Sequence, residues 1–274
     1  MAIEFDHLFP GKLDHDYLHS LLKNYTSRDD RVLAGARVGE DAAVIDMGDS
    51  VLISTTDPIT FATDSIGYYA VNVNVNDIVC MGATPKWFLA VLLLPEKISK
   101  TDVEAIFAQL HQACQDHNIV YIGGHTEVTV DLPRPIVIGQ LLGEAAKDDW
   151  LKKSDARVGD VLVQINRIPI EGTAIMALER GETLREEFSD EFVNKCAQFL
   201  YEPGISVRPA ADAIRAFQGV HALHDPTEGG LATAVHELAG AADVGCEIDE
   251  DEILILPEGK LACDVFGIDP LGCI

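Results

Sequence analysis

The sequence predicts an α+β protein made of two consecutive domains, and three observations carry that expectation. A chain of 274 residues is long enough for two ordinary domains, each with its own core. Its composition, 47% hydrophobic and 24% charged, is that of a folded globular protein and far from that of disordered chains. Its first half alternates strand-like and helix-like segments, and the pattern begins again after a polar, charged stretch, "DDWLKKSDARVGD" at 148–160. That stretch reads as the boundary, which gives domains at 1–152 and 153–274.

The elements follow in order. "RVLAGARV", "AAVIDM" and "SVLISTTD" read as strands, rich in β-branched residues and punctuated by Gly and Asp. The next segment is ambiguous, because "VNVNVND" at 71–77 alternates with a strand's period of two inside the longer run "SIGYYAVNVNVNDIVCMGATP". At about 100° per residue, Tyr68, Val71, Val75, Ile78, Val79 and Gly82 share one face, which predicts a helix. A strand would have to run well beyond the usual length. Asn72 and Asn76 then stack on one flank, with Asn74 and Asp77 nearer the opposite side. These polar groups read either as a solvated face or, because short amides are poor helix formers, as residues with a hydrogen-bonding or metal-binding task. "TDVEAIFAQLHQACQDHN" is a helix, with Val103, Ile106, Phe107, Leu110, Ala113 and Cys114 repeating at three and four residues. "IVYIGG" and "PIVIGQLLG" return to strand.

In the second half "VLVQI" reads as a strand and "EGTAIMALERG" as a helix closed by Gly181. "SDEFVNKCAQFLY", "SVRPAADAIRAF" and "TEGGLATAVHELAGAA" read as further helices, and "GCEIDEDEILIL" as two short strands around an acidic turn. Asp225 as N-cap, Pro226 at the first helical position and Glu228 form a capping box for the third of these helices. The ending "FGIDPLGCI" breaks off on apolar residues after an Asp-Pro turn, so the expectation is a chain cut short or lacking its last elements.

Charge narrows the function classes. With 45 acidic and 20 basic residues, the formal charge is −25. This argues against a nucleic-acid backbone or an anionic membrane as main partner, since both require clustered Lys and Arg. A phosphate-bearing ligand would need backbone N–H groups, a few lysines, or divalent cations bridging carboxylate to phosphate. The longest apolar run, "WFLAVLLL", is too short to span a bilayer, and "MAIEFDHLFPGK" lacks the basic start and apolar core of a leader. A cytoplasmic protein is therefore expected. Six scattered cysteines with no C-x-x-C pair suggest neither a zinc site nor a disulfide framework, and most are read as buried small hydrophobes.

Five stretches could carry chemistry. Asp41 in "GEDAAV" and Asp57 in "TTDP" end or border strands; they suit hydrated Mg²⁺, or are ordinary turn residues. "GGHTEVT" at 123–129 offers paired glycines that let a ligand approach the backbone, with His125 either a base or ligand or simply a surface hydrogen-bonding residue. "HDPTEGGLATAVHEL" opens a helix N-terminus beside two glycines, an anion-binding arrangement. "IPIEGTAIMALE" repeats that theme with Glu171, Gly172 and Thr173. Neither of the last two matches a P-loop or a dinucleotide-binding fingerprint.

Taken together and in order, "GEDAAVI", "STTDPITF", "VNVNDIVCMGATPKWFLAVLLLPE", "YIGGHTEVT" and "HDPTEGGLATAVHEL" resemble the aminoimidazole-ribonucleotide (AIR) synthase superfamily over nearly the whole chain. The resemblance implies a two-domain PurM-like fold. Its N-terminal α/β domain would form a β-barrel with a second subunit in a homodimer, and an α+β C-terminal domain would pack against it. It also implies ATP and Mg²⁺ in a cleft at the dimer interface and a small-molecule substrate. Position by position, Asp41, Asp57 and Asp77 would hold metal and phosphate, with Asn76 beside them. Asp77, His125 and Glu127 would be catalytic. Gly123, Gly124 and Thr126 would approach the nucleotide, Asp225, Thr227, Gly229 and Gly230 would complete the site, and Lys12 would contact phosphate. The implied chemistry is attack by a substrate nucleophile on the ATP γ-phosphate.

Departures sort the members. No cysteine precedes Cys80, unlike selenophosphate synthetases. Cys273 is followed by Ile274, unlike the cysteine-terminated tail of HypE. His125 stands where thiamine-monophosphate kinases have Asp and AIR synthases Glu. The pattern is most similar to HypE-like, AIR-synthase-related proteins, which also implies a maturation partner protein. The expected function is ATP-driven phosphorylation or dehydration of a small oxygen- or amide-bearing substrate. A non-catalytic nucleotide-binding or regulatory module and a thiamine-monophosphate kinase-like kinase are the alternatives, with a structural metal-binding protein as a third.

Overall fold

The structure, a computed structural model, describes residue 8 and residues 11–274. The reading of the first residues as lacking a leader therefore falls almost wholly outside the described residues.

The N-terminal half runs α1 (His15–Tyr25), β1 (Val32–Ala34), β2 (Ala43–Asp46), β3 (Ser50–Ile59), α2 (Ile66–Cys80), β4 (Thr84–Pro95), α3 (Lys100–Asp116), β5 (Val120–Thr129) and β6 (Ile136–Ala146). The six strands form one sheet in the order β1-β2-β3-β6-β4-β5, with only β4 and β5 parallel. Inside this sheet β3, β4 and β6 alternate buried and part-exposed residues, as strands with one covered face do. Edge strand β5 leaves Val120, Ile122 and Val128 exposed.

The 71–77 segment is helical, as the apolar stripe predicts, but it has no solvated face. Val71, Asn72, Asn74, Val75, Asn76 and Asp77 are all buried. The reason is its position: α2 packs on β3, β4 and β6 and is covered by α3 and by a helix of the second half, Arg208–Ile214. Buried amides call for hydrogen-bond partners, and all but the Asn74 side-chain oxygen have one. Asn72 and Asn74 donate to the carbonyls of Tyr68 and Ala70, and Asn72 Oδ1 meets His117 Nε2 at 2.9 Å. Gly139 on β6 is needed for this fit, because a Cβ there would lie within contact distance of the Asn74 amide.

The second half runs α4 (Glu171–Glu179), α5 (Gly181–Arg185), α6 (Asp190–Gln198), α7 (Arg208–Ile214), α8 (Gly230–Ala242) and α9 (Pro257–Phe266). Three expectations fail here. Residues 161–165 and 245–256 form no strand; among the described residues the only pairing in this half is a single bridge between Ile168 and Ile255. Val161 and Val163 are exposed, so their β-branched run has no sheet neighbour to bury it. Gly181 does not close α4, which ends at Glu179, but opens α5. Helix α8 is not capped by Asp225: Gly229, at φ +94°, is its N-cap and the helix starts at Gly230, which frees the Asp225 side chain for another task.

The halves also share a core. One apolar cluster runs from Ile53, Tyr69, Val75 and Leu141 to Ala174, Leu200, Ile205 and Ala211, while a smaller one of Met176, Leu184, Val193, Cys196, Ala262 and Cys263 belongs to the second half alone. Five of the six cysteines are buried, as expected. No described helix is long and apolar enough to cross a membrane.

Candidate functional site

Where α2 ends, the chain gathers carboxylates from four places. Asp77 lies in its last turn, Asp57 on β3, Asp41 just before β2 and Asp225 in the segment leading to α8. Asp77 is 3% exposed and Asp225 4%, so both carry a large desolvation penalty as anions. Burial, reinforced by the Asp225 and Asp57 charges, holds the Asp77 carboxyl well above the usual carboxylate range. Asp57 is also raised by burial, against the lowering effect of a hydrogen bond from Asp77. The two carboxyls lie close enough that each weighs on the other's ionisation. Thr55 Oγ1 lies 2.5 Å from Asp77 Oδ2 and 2.9 Å from the Asp41 carbonyl, fixing Asp77 against the sheet.

Asp225 has its pKa pushed up to about 6, first by burial and then by Asp41. Its Oδ1 is buried without a hydrogen-bond partner. Buried oxygens of this kind fit Mg²⁺, a hard cation that takes one or two carboxylates and leaves its other positions to water and phosphate.

Basic groups face the cluster. Lys153 is buried, its Nζ 2.6 Å from Asp41 Oδ2, and donates to the Gly39 carbonyl at 2.8 Å. Lys12 donates to Thr227 Oγ1 at 3.1 Å and lies 3.9 Å from both Glu228 and Glu237. His224 Nε2 meets Glu237 Oε2 at 2.9 Å. Glu171, the first residue of α4, is pushed up to about 8 by burial and then by Glu228 and Asp225.

Thus Asp41, Asp57, Asp77, Asp225, Thr227 and Lys12 come to one place, with Gly229 and Gly230 at the start of α8. Gly229 needs its positive φ and its lack of a side chain, because a Cβ there would strike the Thr233 side chain. Asn76 does not face the carboxylates. Its amide donates to the Ile205 carbonyl and accepts from Val207 N–H, both at 2.9 Å, tying α2 to the second half. Replacing it strands both backbone groups, so Asn76→Ala is expected to destabilise the protein by about 2–4 kcal/mol, read from the urea midpoint of unfolding.

Gly123, Gly124, His125, Thr126 and Glu127 lie elsewhere, on β5. Three strand spacings, about 14 Å, separate β5 from β3. His125 Nε2 and Glu127 Oε2 are 3.2 Å apart and largely exposed. Both glycines have positive φ, and a Cβ on Gly124 would run into the Ala90 backbone of β4. With Phe107, Tyr121 and Ile122, residues 123–126 line a hollow of about 380 Å³.

Thr55, Lys153, His224 and Glu237 are absent from the set read off the sequence. His224 directly precedes Asp225 and lies within reach of that motif. Lys153 is hidden in the charged run that reads as a boundary.

The site defines a two-domain α+β protein whose halves close over a cluster of carboxylates and a buried lysine. More particularly, the chain belongs to the AIR synthase related proteins: residues 39–145 match the N-terminal domain of that family and residues 157–272 its C-terminal domain. Within it the chain is HypE-like. It is 31% identical over 244 residues to the carbamoyl dehydratase HypE of Rhizobium leguminosarum bv. viciae, covering 86% of this chain and 66% of that protein. It is 29% identical over 239 residues to a hydrogenase expression/formation protein of Methanocaldococcus jannaschii, covering 85% and 68%. A crystal structure of the hydrogenase maturation protein HypE in complex with ATP superimposes with a TM-score of 0.65 at 23% identity, covering 96% of this chain and 76% of that one. The chain thus spans about two thirds of the length of these curated relatives.

Proposed function

We propose that the protein is a Mg²⁺- and ATP-dependent enzyme that phosphorylates or dehydrates a small oxygen- or amide-bearing substrate, in the manner of HypE. The observation that carries this reading is the buried Asp77 with half-buried Asp57 beside Asp41 and Asp225, a concentration of negative charge that a phosphate-bound dication would neutralise. Asp41, Asp57, Asp77 and Asp225 would hold the Mg²⁺, which when bound would supply positive charge against the negative charge of the phosphates. Lys12 would add a positive charge for phosphate, and the backbone at Gly229 and Gly230 would let it approach the start of α8.

His125 and Glu127 are too far along the sheet to share this site within one chain. We assign them to the same reaction through a homodimer, in which β5 of one copy meets the carboxylates of the other. The exposed apolar residues on β5 suit such burial. The kinship with hydrogenase expression proteins supports a maturation partner protein.

ATP with Mg²⁺ is expected to raise the melting temperature, and ATP with EDTA to leave it unchanged. ADP release in a mixture of small amides and carbamoyl compounds is expected to exceed the rate without them. Protection by Mg²⁺-ATP with no release under any mixture would identify a nucleotide-binding module instead. No protection at all would sink the proposal.

A further inference from the structure

We propose that Asp41, His224 and Asp225 form a cation site with a nitrogen ligand, which takes a first-row transition dication such as Mn²⁺ or Co²⁺ in preference to Mg²⁺. The inference rests on the reading of Asp41 as a metal carboxylate and adds to it a ligand and a class of metal.

The geometry starts from Glu237 on α8. Its Oε2 lies 2.9 Å from His224 Nε2, closer than the Lys153 ammonium at 3.4 Å, and this shorter contact to an acceptor assigns the hydrogen to Nε2. In the neutral ring that leaves Nδ1 as a bare lone pair. The His224 side chain is 4% exposed, and Nδ1 is buried without a hydrogen-bond partner. It faces Asp41 Oδ2 at 3.5 Å and Asp225 Oδ1 at 3.9 Å, and Asp225 Oδ1 is itself unpartnered. One atom from each of the three residues falls within 4.8 Å of the others. A lone pair held among carboxylate oxygens is repelled unless a cation sits between them. A carboxylate fixing one ring nitrogen so that the other points at a metal is the usual support for a histidine ligand.

Lys153 decides which metal. Its ammonium already neutralises one charge at Asp41, from 2.6 Å. Asp41, Asp225 and Lys153 together carry one net negative charge, which reduces what a hard cation gains there. An imidazole nitrogen shifts preference toward Mn²⁺, Co²⁺ and their neighbours, which bind nitrogen better than Mg²⁺ does.

The test uses the full chain stripped with EDTA, without nucleotide, titrated with Mn²⁺, Co²⁺ or Mg²⁺ alone. Pulsed EPR of the Mn²⁺ complex is expected to show coupling to a ligand nitrogen, and Co²⁺ to give a visible absorption that saturates. Mn²⁺ should bind at least about tenfold more tightly than Mg²⁺. His224→Gln should remove the nitrogen coupling and weaken Mn²⁺ about tenfold or more. Mn²⁺ bound without nitrogen coupling, Mg²⁺ bound as tightly as Mn²⁺, or no binding would each overturn the proposal, and the wild-type EPR result stands even if the variant fails to fold. Melting with Mg²⁺-ATP separates this failure from that of the ATP reading. Protection without nitrogen coupling sinks only the present inference, and nitrogen coupling without protection sinks only the other.

Discussion

Asp77→Asn is expected to abolish Mg²⁺-ATP-dependent turnover, by about a hundredfold or more, while making the metal-free protein more stable. The two effects share one cause. Asp77 is buried among Asp57, Asp41 and Asp225, and its anion is disfavoured there. An amide of the same shape keeps contact with Thr55 and cannot ionise. Stabilisation of about 1–2 kcal/mol is a usual size for relieving a functional site, worth roughly 3–6 °C in a protein of this length.

The pH dependence has a definite sign. Asp77's pKa is raised in the folded state, so its penalty is absent below the unfolded carboxylate value and grows as pH rises toward the folded one. The advantage of the Asp77→Asn variant in EDTA should therefore vanish near pH 4 and widen as pH rises from there. Melting curves at pH 4, 6 and 8 check this. An advantage that is flat across pH would mean that the Asp77 charge is not what strains the fold.

How far the sequence reveals this site depends on the kind of signal each residue carries. Helix α2 is legible because its apolar stripe has a helical period, yet its complete burial is not. Burial on the α7 side comes from Ile205 and Val207, some 130 residues away, and no local pattern reports it. Asp41, Asp57, Asp77 and Asp225 sit in recognisable turns and motifs, so they can be named together. His125 and Glu127 sit in an equally recognisable motif and group with them on that basis, but motif order carries no distance, and the sheet order puts β6 and β4 between. The capping box at Asp225 satisfies every local rule and still loses to Gly229. The roughly 1 kcal/mol that a cap contributes is forgone, and Asp225 is held buried beside Asp41, where its charge is disfavoured, as expected of a functional rather than a stabilising position. The strands expected at 161–165 and 245–256 fail for a related reason: β-branched residues favour a strand only where there is a neighbour to pair with.

Lys153→Met should be the most damaging single change outside the apolar core, costing about 3–5 kcal/mol at pH 7 in EDTA. The ammonium is the one fully buried positive charge among the described residues near Asp41 and Asp225, and it also bonds the Gly39 carbonyl across the two halves. Methionine fills the space but leaves the carboxylates without their internal counter-ion. The loss should shrink toward pH 5, because Asp225, with its pKa near 6 in the intact protein and released from the lowering influence of Lys153, then takes up a proton. It should also shrink when Mn²⁺ is added, since a dication between Asp41, His224 and Asp225 supplies the missing charge, and the variant should gain more from the metal than the wild type does. Urea unfolding at pH 5 and 7, with and without Mn²⁺, measures all three effects. If the loss is under about 1 kcal/mol and indifferent to metal, Lys153 is only packing, and the cluster must be held neutral by protons. If metal rescues it, the lysine and the metal are two ways of meeting one electrostatic need, and the two halves of the fold are held closed by whichever cation is present.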